Sequence, residues 1–306
     1  MVQLIDSDIK TREVLDWRGV HVLHFAGSSC SQKMRIFLNL KGIPWQSHPI
    51  DLPANENFQP WFLGINPRGL VPVLVHDGAV HIESNDIIQY LEQTYPEPKL
   101  IPAGQENEVA ALLRHEADLH LDLRTLSIRF VFAPPGPPKS ADALASYAAN
   151  GSGTVQGVAD REKAIQIAFW QRAAQEGITD EAARVSAQKF RKEFDKLERQ
   201  LATRPYLMGG TLSVLDIAWF IYAYRLSLAG YPFARLHPQV AAWEEKLKGR
   251  RSSPAKSPAR APRRHRCARR WSRWRGSSAA PCKVRRPVTA EDQVSWFYKR
   301  GFGRKR

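Results

Sequence analysis

Between Ala26 and Ser31 the chain reads Ala-Gly-Ser-Ser-Cys-Ser, directly ahead of the helix-forming run Gln-Lys-Met-Arg-Ile-Phe-Leu-Asn-Leu. A helix start has free N–H groups and about half a positive charge, so it stabilises an anion placed there. A hydroxyl of Ser28, Ser29 or Ser31 donating to a bound thiolate would lower that thiol's pKa and hold it ready to attack. Alternatively, the serines simply cap the helix and Cys30 is a small buried residue. Val71-Pro72 stands at the start of a β-rich run, where proline cannot donate to a ladder. A cis bond there would turn the backbone groups of Val71 outward, free to pair with a peptide-like ligand. Glu83 and Ser84 open a helix directly after a hairpin. Glu83 can accept from an ammonium group, and Ser84 can hold a carboxylate. Each pair has an ordinary reading as turn or capping chemistry. Jointly they describe a site that grips both termini of an amino acid, an extended backbone and a sulfur.

The elements that must position these residues follow from period and punctuation. Residues 20–26 alternate apolar and polar and predict a strand; the helix after Ser28 closes at Gly42, a C′ position. Residues 45–50 predict a second strand, and a helix over about 57–65 ends before Asn66-Pro67. Asp77-Gly78 joins two β-rich runs as a hairpin, and Ser84 to Tyr95 forms a helix with Ile87, Ile88 and Leu91 on one face. The order is βαβαββα. Downstream, residues 105–133 predict one amphipathic helix, and 134–158 a Pro, Gly, Ser and Ala-rich loop. Helices follow over 160–201, with a break at Glu176-Gly177, then a very apolar one at 213–229 and a last at 238–248. The expected architecture is an N-terminal extension at 1–19, an α/β domain at 20–100, and an all-helical domain at 105–249 with an insertion at about 134–160. A basic, low-complexity tail occupies 250–306.

Charge marks that last boundary. The chain carries 45 Lys plus Arg against 30 Asp plus Glu, a net of +15. Residues 250–306 hold 19 basic and 2 acidic side chains, so residues 1–249 hold 45 − 19 = 26 basic and 30 − 2 = 28 acidic, a net of −2. The tail has no Leu, Ile or Met and cannot offset the ordering cost of about 1–2 kcal/mol per residue, so it is expected to be disordered. No run of about 18 apolar residues predicts a membrane span, and the N-terminus lacks a secretory pattern. Only Cys30, Cys267 and Cys282 are present, so no disulfide framework is implied and a reducing cytoplasm is expected.

The segments SSCSQKMRIFLNLKG, NPRGLVPVLVHDG and ESNDIIQYLE resemble, in order, the glutathione-site segments of the glutathione transferase family. GGTLSVLDIAWF resembles the Ser-x-x-Asp capping box of its helical domain, here Ser213 with Asp216. The resemblance implies a thioredoxin-like first domain and an all-α second one. It places Ser28 at the catalytic position, with Ser29 and Cys30 completing the Ser-Ser-Cys pattern of zeta-like members. It makes Val71, before cis Pro72, the main-chain partner of the glutathione cysteine, and Glu83 with Ser84 the holders of the γ-glutamyl end. Glutathione is then the co-substrate, activated as a thiolate without a metal, and the partner a small hydrophobic electrophile. That second substrate is expected between the domains, with Phe130, Phe132, Trp170, Tyr222 and Tyr224 as candidate lining. The long insertion over 134–200 is similar to bacterial members that cleave β-aryl ethers, whereas Ser-Ser-Cys is similar to maleylacetoacetate isomerases. A homodimer is the family habit.

Two readings compete from other classes. One is a non-catalytic binding protein on the same fold; retention of Ser28, Pro72, Glu83 and Ser84 together argues against it. The other is association with nucleic acid or another polyanion through residues 250–286, which carry 14 basic and no acidic side chains with Trp271 and Trp274 interleaved. The tail's Arg, Pro, Ser and Ala composition is also that of a GC-rich gene translated in a shifted frame, in which case its basicity carries no function.

Overall fold

A computed structural model describes residues 2–132 and 139–249. The tail at 250–306, with Cys267, Cys282, Trp271 and Trp274, lies outside the described residues, as does the run at 133–138. The readings of the tail as a disordered, polyanion-binding or frame-shifted segment fall there with it.

The first domain is a five-stranded mixed sheet in the order β1-β5-β4-β2-β3. Strand β2 (Val20–His24) is parallel to β3 (Gln46–Pro49) and antiparallel to β4 (Val73–His76). Strand β4 turns back into β5 (Ala79–Ile82). Asp77 and Gly78 both have positive φ, 49° and 84°, as a tight hairpin of this hand requires. Glycine is also forced at 78 by space, since a Cβ there would stand 2.2 Å from the Leu15 carbonyl oxygen. The segment read as an N-terminal extension instead contributes to the sheet. Its β1 (Val2–Gln3) pairs antiparallel with β5, because that edge offers unpaired backbone groups next to an apolar face lined by Leu4, Ile9 and Val14.

Helices α1 (Ser29–Lys41) and α3 (Ser84–Thr94) cover one face of the sheet. The helix expected over 57–65 shrinks to a single turn at Glu56–Phe58 and to α2 (Pro60–Leu63). Pro60 is the cause: it holds Gln59 extended at φ −77°, ψ 150° and then starts a new helix at its first position.

The second domain is helical. The single helix expected over 105–133 is two, α4 (Glu106–Asp118) and α5 (His120–Phe130). Leu119 separates them at φ −88°, ψ 2°, a turn conformation. The insertion expected as a loop contains α6 (Ala141–Ala149), capped by Ser140, and a small hairpin of β6 (Thr154–Val155) and β7 (Val158–Ala159). Its turn residues Gln156 and Gly157 both have positive φ, and the buried Asp8 carboxylate accepts from Thr154 Oγ1, the Gln156 N–H and the Gly157 N–H at 2.7, 2.7 and 3.1 Å. Then come α7 (Glu162–Glu176), α8 (Asp180–Leu201), α9 (Val214–Leu228), α10 (Phe233–Leu236) and α11 (Pro238–Gly249).

Helix α9 is buried from Val214 to Leu226 and begins at a reciprocal capping box, Ser213 with Asp216. Asp216 also accepts from the Leu207 N–H at 2.9 Å and the Trp243 indole at 3.0 Å, which ties α9 to α11. One continuous core joins both domains, running from Ile36 and Phe37 on α1 through Leu113 and Leu123 to Trp219 and Trp243. Among the described residues, no helix is long and apolar enough to cross a membrane.

Candidate functional site

Sheet register brings the three sequence-predicted segments to one end of the sheet. Leu23 pairs with Val73, and Leu74 pairs with His81, so Leu23, Val73 and Ile82 lie in neighbouring rows. Three connections therefore leave the sheet side by side: Phe25–Ser28 after β2, Val71-Pro72 before β4, and Glu83-Ser84 after β5. The Val71-Pro72 bond is cis.

Ser28 caps α1 and is half-buried, and its Oγ accepts from the Ser31 N–H at 3.3 Å. Because that bond uses a lone pair, the Ser28 hydroxyl proton is free to be given to a ligand. Ser29 and Ser31 are buried, and Ser31 Oγ accepts from the Phe25 N–H at 3.4 Å, which assigns it to the turn. Cys30 is half-buried with its Sγ 3.7 Å from His120 Nδ1. Burial pushes the Cys30 thiol pKa up and the Glu116 and Glu83 charges add to this, against Lys33 and a hydrogen bond from Ser84. His120 is pushed down to about 3 by burial and by Arg124, so near neutral pH a neutral imidazole faces a neutral thiol.

Glu83 precedes α3 at φ 66° and is gripped from one side by Arg68, whose Nη1 donates to Oε1 at 2.6 Å. Arg68 donates in turn to both oxygens of Asp160, at 2.6 and 3.1 Å, so a residue just beyond the hairpin of the insertion fixes the cation that fixes Glu83. Tyr147 on α6 donates to the Arg68 carbonyl. Its ring lies so close to Gly69 that a Cβ there would meet it at 2.6 Å, and Gly69 also has φ +64°.

Sequence reasoning missed the polar groups of the helical wall. Lys33 Nζ on α1 is 2.9 Å from Glu116 Oε2 on α4 and 2.7 Å from Asn85 Oδ1, while Asn85 Nδ2 donates to the Leu113 carbonyl at 2.8 Å. The Tyr222 hydroxyl bonds the same Glu116, and burial drives its pKa well up. Arg225 on α9 reaches across to the Gly27 carbonyl at 2.8 Å and stacks on Phe132 at 4.8 Å; burial brings it down to about 10. A signal was available. Glu116 continues the buried face of Val109 and Leu113, and Arg225 follows the apolar and aromatic run 217–224 on a buried helix, so both charges needed partners.

The candidate lining residues are not brought together. Trp170 is half-buried against the stacked rings of Phe58 and Tyr147. Phe130 is 53% exposed at the end of α5. Tyr222 and Tyr224 are buried in the main core, edge-on to Phe190 and Trp219 and stacked on Phe220 respectively. Both occupy core positions of α9, and the Tyr222 hydroxyl bonds Glu116.

A thioredoxin-like sheet with a helix-start serine, a cis-proline loop and a Glu-Ser turn at one end, packed on an all-helical domain, defines a class of two-domain folds. Residues 22–99 match the family model of the glutathione S-transferase N-terminal domain, and residues 169–246 that of the C-terminal domain. The chain belongs to the glutathione S-transferase family. It is 49% identical over 76 residues to a zeta-class glutathione S-transferase of Euphorbia esula, covering 25% of this chain and 34% of that protein. It is 42% identical over 101 residues to the maleylacetoacetate isomerase of Pseudomonas aeruginosa, covering 30% of this chain and 47% of that protein. The chain thus matches between a third and a half of the length of these relatives. The solved structure of the β-etherase LigF from Sphingobium superposes on 76% of this chain and 96% of its own, with a TM-score of 0.61 and 25% identity.

Proposed function

We propose that the chain binds glutathione at the shared end of the sheet and activates its thiolate for attack on a hydrophobic electrophile, as a glutathione-dependent transferase or lyase. The observation that carries this reading is the convergence of Ser28, Val71-Pro72 and Glu83-Ser84 through strand register. Glu83 accepts from the γ-glutamyl ammonium, Ser84 holds the adjacent carboxylate, and the Val71 main chain pairs with the cysteinyl backbone. The Ser28 hydroxyl and the start of α1 stabilise the sulfur as thiolate, whose proton leaves to solvent. The thiolate then forms the sulfur–carbon bond as the leaving group departs with its electron pair; for a β-aryl ether that group is a phenolate. Cys30 stays a thiol beside His120 and packs the first helical turn. We place the enzyme in the cytoplasm as a homodimer.

Isomerisation of maleylacetoacetate is the second reading, favoured by the stretch shared with the Pseudomonas isomerase. A glutathione-dependent assay against a β-aryl ether, an aryl halide and maleylacetoacetate separates the two. The first reading expects turnover of the ether or the halide, and the second turnover of maleylacetoacetate alone. Absence of turnover with all three contradicts both and favours a binding protein.

A further inference from the structure

The buried and half-buried cations of the two domains are not equivalent. Lys33 is paired with Glu116, Lys41 with Glu92 at 2.7 Å, and Arg68 with both Glu83 and Asp160. Arg225 rests on a backbone carbonyl. Arg124, on α5, is half-buried and has no carboxylate partner among the described residues. Its Nη1 donates to Gln166 Oε1, and its Nε and Nη2 have no acceptor there. The nearest acid on that side, Glu162, is occupied by the other end of the same amide, with Gln166 Nε2 donating to Glu162 Oε1 at 2.6 Å. Removing a guanidinium from water without a contacting counter-ion is unfavourable, and burial pulls the Arg124 pKa down although Glu162 acts on it through space. Such a group, without an ion-paired acid and one helical turn from the His120–Cys30 contact, points to a ligand that completes it.

Its position says which ligand. Arg124 follows His120 by four residues on one helix, so both side chains share a face one turn apart, and His120 touches Cys30 beside the thiol site. The guanidinium lies 5.2 Å from the Phe169 ring and 5.5 Å from the Trp170 ring, both on α7. A second cation, the buried Lys139, lies 5.7 Å from the same Trp170 ring. Lys139 donates to the Leu52 carbonyl at 2.6 Å and to Asn55 Oδ1, with Asp51 acting on it only through space. Two cations therefore border one aromatic surface, a helical turn beyond the thiol site, without an ion-paired acid.

We infer that Arg124 is a carboxylate-binding position and that the electrophile taken by this cleft is an aromatic compound bearing a carboxylate. The free edge of the guanidinium takes the anion in a two-bond fork, and the half-buried Trp170 takes the arene. Lys139 adds field, not contact. The inference rests on reading the cleft as the site of glutathione attack, and it narrows the hydrophobic electrophile proposed above. The glycyl carboxylate of glutathione has the same chemistry, so the test must separate the two sources.

Calorimetric titration of the full chain with para-nitrobenzoate and with para-nitrobenzamide, each with and without saturating glutathione, makes that separation. Benzoate is expected to bind about tenfold or more tightly than the amide, in the presence of glutathione as well as in its absence. Arg124→Met removes the preference, Arg124→Lys keeps part of it, and Arg129→Met, which removes a surface charge from the same helix, leaves it unchanged. Equal affinities for the two compounds in the wild-type protein overturn the inference, and that comparison needs no variant to fold. So does a benzoate preference that disappears when glutathione is bound, with Arg124→Met weakening glutathione instead, since Arg124 then reads the glycyl end. Binding is measured without turnover, so an inactive protein that prefers benzoate contradicts the proposed reaction but not this site.

Discussion

The two walls of the cleft solve the problem of placing polar groups in different ways. On the sheet side, Ser28, Val71-Pro72 and Glu83-Ser84 sit on connections whose meeting is dictated by pairing of Leu23 with Val73 and of Leu74 with His81. Their chemistry combines main-chain groups and a helix start with the half-buried side chains of Ser28 and Glu83. On the helical side, Glu116, His120, Arg124, Tyr222 and Arg225 project from helix faces into a largely buried layer, where each charge needs a partner. Lys33 meets Glu116 and Arg225 meets Gly27, so the helical wall is fixed to the sheet by charges rather than by strand register. The fold of a wall built on register should survive loss of single polar side chains, whereas that of a wall built on buried charge should not.

The largest expected effect lies at that charged seam. Lys33→Met leaves Glu116 buried without its cation and should lower the free energy of urea unfolding by about 3–5 kcal/mol. Lys33→Met combined with Glu116→Leu should recover most of that loss, because nothing charged is then left unpaired. Near-additive losses in the double variant would show that the seam is held by packing, and the contrast between the walls would fail.

A smaller effect is expected where the insertion meets the sheet wall. Gly69→Ala must move the Tyr147 ring and adopt a positive φ with a Cβ, a cost of about 1–3 kcal/mol. The same substitution should weaken glutathione, because the adjacent Arg68 holds Glu83. Unchanged stability and unchanged affinity together would detach the insertion from the site.

Protons supply a third, more gradual test. His24, His81 and His120 have pKa values brought down to about 3, 4 and 3, in each case first by burial. In the unfolded chain they titrate near 6.5, so below that pH the unfolded state binds protons that the folded state refuses. Their neutral burial therefore costs nothing above about pH 6.5, and stability falls progressively as the pH drops from there towards 4. His24 and His81 lie on the sheet side and His120 on the helical side. Replacing His120 by Gln should flatten the fall in melting temperature less than replacing all three, and a melting temperature independent of pH over this range would contradict the burial argument.

Much of the sheet wall was readable from the chain because its signals are local. Asp77-Gly78 specifies a hairpin, Ser28 through Ser31 specify a helix start, and Ser213 with Asp216 specify another. The misreadings have local causes too. Pro60 broke a helix that apolar period had continued, and Leu119 broke another without any proline or glycine to mark it. The insertion looked unstructured because its Gly and Ala content hides a capped helix, and because Asp8, which holds its hairpin, lies about 150 residues away. Aromatic character alone suggests Tyr222 and Tyr224 as lining, but burial of α9 from Val214 to Leu226 makes both core residues. Partners across the cleft, such as Lys33 with Glu116, have no signature in either segment alone.

The central claim is that Ser28, at the start of α1, lowers the pKa of a bound glutathione thiol. Ultraviolet titration of the thiolate in the glutathione complex, for the wild-type chain and for Ser28→Ala, tests it without reference to any electrophile. Loss of a hydrogen bond to a charged sulfur should raise the bound thiol's pKa by about 1–2 pH units, with glutathione affinity at low pH little changed. An identical titration curve in the two proteins would remove Ser28 from its assigned role and contradict the account of the site.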